Sequence, residues 1–379
     1  MKRHYLDHNA TAPVRPEVID AVSEVMARSG NASSVHGEGR GVHSIVEASR
    51  ETIRSFVNAP VNGLIFTSGG TEAIHLALTG GVKANAIKRI FVSAIEHSAV
   101  LENAKATGAS VEIIPVTSSG VIDMEWFTDR LDGYDIDDEG AFIACVMLAN
   151  NETGVIQPVR DVSDLVHNAG GLLFVDAAQA VGKVPVNFVM LGADMMSFTA
   201  HKFGGPLGIG ALAIAPNLPL APVFAGGGQE MNRRAGTINA PLISGFAKAC
   251  ELAVGTLENS QHIAGLRDGI ENVVRERGGV IWGEGQVRLP GTLSFSVPGF
   301  SAETQLMALD LGGVAVSSGA ACSSGKVKAS HVLLAMGAGE EDAKCGIRVS
   351  LGWNSDQGDI DAFIKTWVPA YERVKERAA

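Results

Sequence analysis

A lysine embedded among apolar residues needs a reason to be there. In SFTAHKFGGPLGIGAL, Lys202 follows a strand-like apolar run and precedes a glycine-rich stretch. Lysine is seldom buried unless something pairs with it or modifies it. A pocket that strips its charge makes the amine a nucleophile able to form a Schiff base with an aldehyde. Other residues of chemical interest stand in the same place relative to their own apolar runs. His97 follows RIFVSA, Asn150 and Asn151 follow AFIACVML, Asp176 and Gln179 close GLLFVDAAQ, and Thr199 and His201 flank the lysine. Singly, each has a plain structural explanation: a satisfied core histidine, an Asn turn, a helix cap.

Together they suit a planar, phosphorylated, cationic heterocycle. A carboxylate can hold a pyridine nitrogen protonated and so turn the ring into an electron sink, while the lysine carries the imine. Those are the recurring protein contributions to pyridoxal phosphate chemistry. After LIFT, Ser68-Gly69-Gly70-Thr71-Glu72 opens a helix with small residues. Backbone N–H groups there can approach an anion, and the helix dipole favours phosphate. An N-cap followed by Glu explains the same residues equally well.

These residues need a sheet to bring them together. LIFT (64–67), RIFVSA (89–94), SVEIIPV (110–116), AFIACVML (141–148), GLLFVDA (171–177), DMMSFTA (194–200) and IGALAIA (209–215) read as seven buried strands. Amphipathic stretches such as TEAIHLALTGGVKANA and RDVSDLVHNAG lie between most of them. The alternation predicts an α/β fold with a mostly parallel seven-stranded sheet covered by helices on both faces, and ligands bind beyond the carboxyl ends of such strands. After about residue 240 the texture changes to consecutive helices, shorter strands (GTLSFSV, GVAVSS, GIRVSL) and a last helix. The expected division is a large domain over 15–250, with 1–14 and 251–379 forming a smaller α+β domain.

Composition narrows the class. The chain has 379 residues, 46% hydrophobic and 19% charged, which suits a well-buried globular enzyme, and its 45 glycines imply many tight turns. Net charge is −11 without a basic stripe, so nucleic acid is not an expected direct partner. No apolar run reaches membrane-spanning length, and the N-terminal MKRHYLDHNATAP lacks the apolar core of a secretory signal. The four cysteines, Cys145, Cys250, Cys322 and Cys345, make neither a CxxC pair nor a zinc spacing, so no resident metal is expected and a reducing cytoplasm is the natural setting. Cys145 and Cys250 sit in apolar runs and Cys345 precedes a strand; all three read as structural. Cys322 differs, lying in SSGAACSSG, the composition of a surface loop.

The blocks YLDHNATAP, GNASSVHGEGR, FTSGGTEA, NNETGVIQPV, FVDAAQAVGK, SFTAHKFGGPLGIGAL, GGGQEMNRRAGT, SSGAACSSG and IRVSLG stand in the order found in cysteine desulfurases of the NifS/IscS type. The sequence resembles that family, a class V aminotransferase group of fold-type I, from about residue 5 to the last helix. The resemblance implies roles. Lys202 carries the Schiff base, Asp176 pairs with the pyridine nitrogen, Gln179 meets the phenolic oxygen and His97 stacks on the ring. Gly70, Thr71, Thr199 and His201 hold the phosphate. Thr237 reaches the phosphate of a neighbouring subunit in a homodimer. Asn151 and Arg348 orient the substrate, Arg348 as a fork on its carboxylate, and Asn31 lies in a block flanking the same site.

The implied activity is removal of sulfur from L-cysteine, giving L-alanine and a persulfide on Cys322. The persulfide would pass to an acceptor or scaffold protein, as in iron–sulfur cluster assembly, where Cys322 also touches the nascent cluster. The thiolate is the attacking form, and His97 is placed to manage its proton. His8 stands where the family usually has Asn, Ala32 where it has Pro, and Thr199 and Ala200 where Ser and Gly are frequent. The long C-terminal tail that contacts a scaffold in some relatives is not expected. Alternatives remain open: a selenocysteine lyase, another class V aminotransferase, or a catalytically silent scaffold subunit. A nicotinamide oxidoreductase fits poorly, because GGPLGIG follows a lysine and leads into a strand rather than opening a helix.

Overall fold

The computed structural model describes residues 3–319 and 329–378. Cys322 lies outside them. Twelve strands occur among the described residues: β1 (His4–Tyr5), β2 (Leu64–Thr67), β3 (Arg89–Ser93), β4 (Ser110–Ile114), β5 (Phe142–Cys145), β6 (Leu172–Asp176), β7 (Met195–Thr199), β8 (Gly210–Ile214), β9 (Val280–Ile281), β10 (Thr292–Ser296), β11 (Val314–Ala315) and β12 (Gly346–Ser350). All seven expected apolar runs of the large sheet are strands of one sheet, in the order β2-β8-β7-β6-β5-β3-β4. Only β8 runs antiparallel to its neighbours.

Both faces of this sheet are covered, which is why its strands read as continuous apolar runs instead of alternating ones. Within β3, Phe91 packs with Phe127, Phe142 and Val46 on one side. Ile90 and Val92 pack with Ile74, Val100 and Leu212 on the other. The first face is closed by the helices Pro16–Met26, Gly37–Phe56 and Ala240–Glu258. Proline opens the first of these, where its missing N–H costs nothing, and the Asn239 side chain accepts from Leu242 N to cap the third.

A second sheet, ordered β12-β10-β9 and antiparallel, lies under a separate core of Trp367, Phe295, Phe363 and Phe300. The chain's first residues join this half: β1 pairs in parallel with β11. The next residues cross towards the large sheet. Asp7 bridges to Ser350, Ala12 N donates to the carbonyl of His201, and Arg15 N donates to that of Gly204. Residues 7–15 therefore span both halves of the molecule and run past the carboxyl ends of the large sheet.

Candidate active site

In the large sheet the chain leaves β3 outward to β4 and returns on the other side of β3 as β5. That reversal opens a crevice at the strand ends. Residues following β2, β3, β5, β6 and β7 converge on it. Gly70, Thr71, His97, Asn151, Asp176, Gln179, Thr199, His201 and Lys202 all line one cavity, with Ile74, Met147 and Ala178 as its apolar wall.

Asp176 ends β6 and is 6% exposed. Its Oδ1 accepts from Ala178 N at 3.0 Å and from Ser197 Oγ at 3.2 Å. Among the described residues no hydrogen bond reaches its Oδ2. Burial raises its pKa, against the opposing pull of the Ala178 N–H and of His97. A buried carboxylate without a cation in contact is costly, and a protonated ring nitrogen would relieve that cost.

His97 caps the helix Ser98–Ala106, with Nδ1 accepting from Ala99 N at 3.1 Å. That bond places the ring proton on Nε2 in the neutral form. Burial lowers the His97 pKa, with Asp176 pulling the other way. Glu96, its neighbour, turns away. Its Oε1 accepts from Met147 N, and burial together with nearby Asp176 pushes its carboxyl well above the usual range. Asn150 serves the turn: its Oδ1 accepts from Glu152 N and Thr153 N, both at 2.9 Å.

The Lys202 amine donates to the carbonyls of Asn9 at 2.8 Å and Ala10 at 2.9 Å. Burial, and then the charge of Arg348, lower its pKa to about 8. His201, with Nδ1 3.2 Å from Thr11 Oγ1, is pushed down to about 4 by burial and Lys202, so its ring is neutral. Thr199 Oγ1 donates to Ile209 O at 2.9 Å.

Gly70 and Thr71 begin a helical run over 70–84 that contains one π turn, Leu76–Gly80. The Ser68 side chain does not cap it. Instead Glu72 reaches back to accept from Ser68 N at 2.7 Å, and Arg234 grips Glu72 at 2.7 and 3.2 Å.

Three residues named from the sequence lie outside the cavity lining. Arg348, on β12, stands one layer back: Nη1 donates to Asn151 O at 3.0 Å and Nη2 pairs with Asp7 at 2.8 Å. Its Nε is buried and has no partner among the described residues. Asn31 sits exposed in a turn, its Oδ1 accepting from Ser33 N. Thr237 is exposed and lines a different cleft with Ser68, Glu230 and Arg234.

Sequence reasoning passed over Asn9 and Lys183. Asn9 holds Lys202 through its carbonyl, and its Nδ2 donates to Asn151 O at 3.1 Å and Thr292 Oγ1 at 3.0 Å. Lys183 donates to Asn9 Oδ1 at 2.7 Å and Gln179 Oε1 at 2.6 Å. The signal available was the four-residue spacing of Gln179 and Lys183 in QAVGK.

The residues fit pyridoxal phosphate. A buried carboxylate lacks a cation, an amine has a lowered pKa, and a helical run starts with two small residues, all around one cavity.

The chain matches the family model described as "Aminotransferase class-V" over residues 4–363. It is 36% identical to the "IscS-like cysteine desulfurase" of Mycobacterium tuberculosis, across 99% of this chain and 98% of that one. Among solved structures it is similar to a NifS-like protein from Rickettsia africae, with a TM-score of 0.89 and 31% identity over 98% of this chain and all of that one. It is also similar to SspA in complex with cysteine, with a TM-score of 0.79 and 27% identity over 92% of this chain and 98% of that one.

Proposed function

The chain belongs to the aminotransferase class-V family, and from that premise we propose that it is a cysteine desulfurase using pyridoxal phosphate at Lys202. The observation that carries this reading is the Lys202 amine, lowered to about 8 and lining one cavity with the buried carboxylate of Asp176. Bound there, pyridoxal phosphate supplies an electron sink for the charge left when the amino acid's α-proton departs.

Each residue then has a task. Asp176 holds a proton on the ring nitrogen. Gly70, Thr71, Thr199 and His201 bind the phosphate, with neutral His201 as donor or acceptor. His97 would cover the ring and holds its own proton at Nε2. Lys202, with its pKa lowered to about 8, would be a base of suitable strength for the α-proton. Asn151 and Arg348 orient the substrate carboxylate, Arg348 from one layer back through the Asn151 carbonyl that it holds. Cys322, outside the described residues, takes the sulfur: its thiolate forms the S–S bond as the substrate C–S bond breaks. The electron pair goes to the β-carbon, which becomes the methyl group of alanine. The balance is L-cysteine plus thiol giving L-alanine plus persulfide.

The reading extends to a homodimer, in which exposed Thr237 serves the partner's phosphate, and it keeps Asn31 as a substrate-binding residue in a block flanking the site. It also extends to a cytoplasmic setting, and to an acceptor or scaffold protein that receives the sulfur. The large and small domains are divided as 15–250 against 1–14 with 251–379. The reading is supported by the family's cysteine-desulfurase relatives and by the full set of cavity residues.

The test is direct. Purified protein loaded with pyridoxal phosphate releases alanine and sulfide from L-cysteine in the presence of a thiol, and Cys322→Ala abolishes both. Transfer of the amino group to a keto acid, with Cys322→Ala unaffected, would establish a transaminase instead.

A further inference from the structure

Lys183 is a second lysine amine at the site, and the reaction as described gives it nothing to do. Its two contacts are short and converge. Nζ donates to Gln179 Oε1 at 2.6 Å and to Asn9 Oδ1 at 2.7 Å. Every remaining contact of those two amides follows from this. Asn9 Nδ2 points away, to Asn151 O and Thr292 Oγ1. Gln179 Nε2 points to the Asn9 carbonyl at 2.9 Å. The Asn9 carbonyl can only accept, so the amide group facing it is the NH2, which leaves Oε1 to the Lys183 amine. Gln179 lines the cavity, and its NH2 end shares the Asn9 carbonyl with the Lys202 amine, which lines the same cavity.

We infer that Lys183 is a positioning residue: by holding Gln179 Oε1 it turns that amide's NH2 towards the cavity, so that the wall offers a hydrogen-bond donor to the phenolic oxygen of bound pyridoxal phosphate. The inference rests on the cofactor reading above. A donor on that oxygen competes with the proton shared between the oxygen and the lysine imine, so it lowers the pH at which the imine loses its proton. Lys183 also polarises the amide it holds, which strengthens the N–H pointing into the cavity. Burial, then Lys202 and Arg348, push the Lys183 pKa well down, while Asp7 opposes them.

The experiment is a pH titration of the visible band of the protein-bound cofactor in the parent, Lys183→Met, Gln179→Met and the double variant. Lys183→Met raises the midpoint by roughly one pH unit, the scale of one hydrogen bond's preference. Gln179→Met raises it similarly, and the double variant goes no higher than Gln179→Met alone, because Lys183 acts through the amide. An unshifted midpoint in Lys183→Met overturns the inference. So does a Lys183→Met shift that persists undiminished in the Gln179→Met background, which would make Lys183 a bare charge. Should Lys183→Met fail to fold, Lys183→Leu is read in the same way. A parent protein that takes up pyridoxal phosphate with no visible band at all overturns the cofactor reading itself, and this inference with it.

Discussion

Arg348 Nη2 lies 2.8 Å from Asp7 Oδ1, so the guanidinium expected to grip substrate is already half engaged by the N-terminal segment. With Nη1 on the Asn151 carbonyl, the fork is held at two points before substrate arrives. Asp7→Ala leaves a guanidinium that is 7% exposed without its counter-charge. Breaking such a pair lowers stability by roughly 3 kcal/mol, read from urea unfolding of the cofactor-free protein. The same variant raises KM for L-cysteine more than it lowers kcat, because a loosened Arg348 affects binding first.

Lys202 gives up its proton near pH 8 in the folded protein and near 10.5 in the unfolded chain. Between those values the unfolded chain holds a proton that the folded protein has lost. Stability of the cofactor-free protein therefore climbs with pH across this window and is insensitive to this group below it. Lys183 is depressed too and adds to the climb. Lys202→Met flattens the rise, measured as the urea midpoint at a series of pH values from 7 to 10.5.

His8 is 1% exposed and its Nδ1 has no partner among the described residues. Burial and Lys183 lower its pKa to about 3, from 6.5 in the unfolded chain. As pH falls from 6.5 to 3 the unfolded state gains a proton that the folded state refuses, so stability is lost on acidification. His8→Asn removes this group's share of the loss. The variant's acid-unfolding curve, followed by circular dichroism, shifts to lower pH if its stability at pH 7 is matched to the parent's.

The three described cysteines are buried and free. Burial pushes the thiols of Cys145 and Cys250 well up and raises that of Cys345, which starves each of thiolate. On the sequence reading of Cys322 as a surface-loop thiol, a thiol reagent added to the native protein titrates one group quickly, and four in denaturant, the number the chain contains. Cys322→Ala loses the fast phase and leaves the slow ones unchanged.

The sheet was legible because its strands, the partly exposed edge strand β4 apart, are buried on both faces and appear as short apolar runs. Asp176, Gln179, His97 and Lys202 were legible because a strand's carboxyl end can be located from the run before it. What escaped was whatever depends on distant pairing. Nothing near Arg348 in sequence announces Asp7, 341 positions away. Asn9 was visible only as part of a familiar block, and its role in holding Lys202 comes from a contact across 193 positions. Lys183 was passed over, because the short spacing to Gln179 carries no sign of the buried asparagine it also meets. Asn31 and Thr237 lie outside the cavity lining, Asn31 in an exposed turn and Thr237 in a different cleft, and their own stretches of sequence do not announce either place.

Residues 7–10 complete the catalytic pocket, yet they are held by Thr292, Ser350 and Arg348 near the other end of the chain. Synthesis proceeds from the N-terminus, so residues 7–10 leave the ribosome well before the residues that hold them. Through most of translation the large sheet can assemble with Lys202 lacking its carbonyl acceptors. The nascent protein is thereby unable to present a finished centre before Arg348 and Ser350 have emerged.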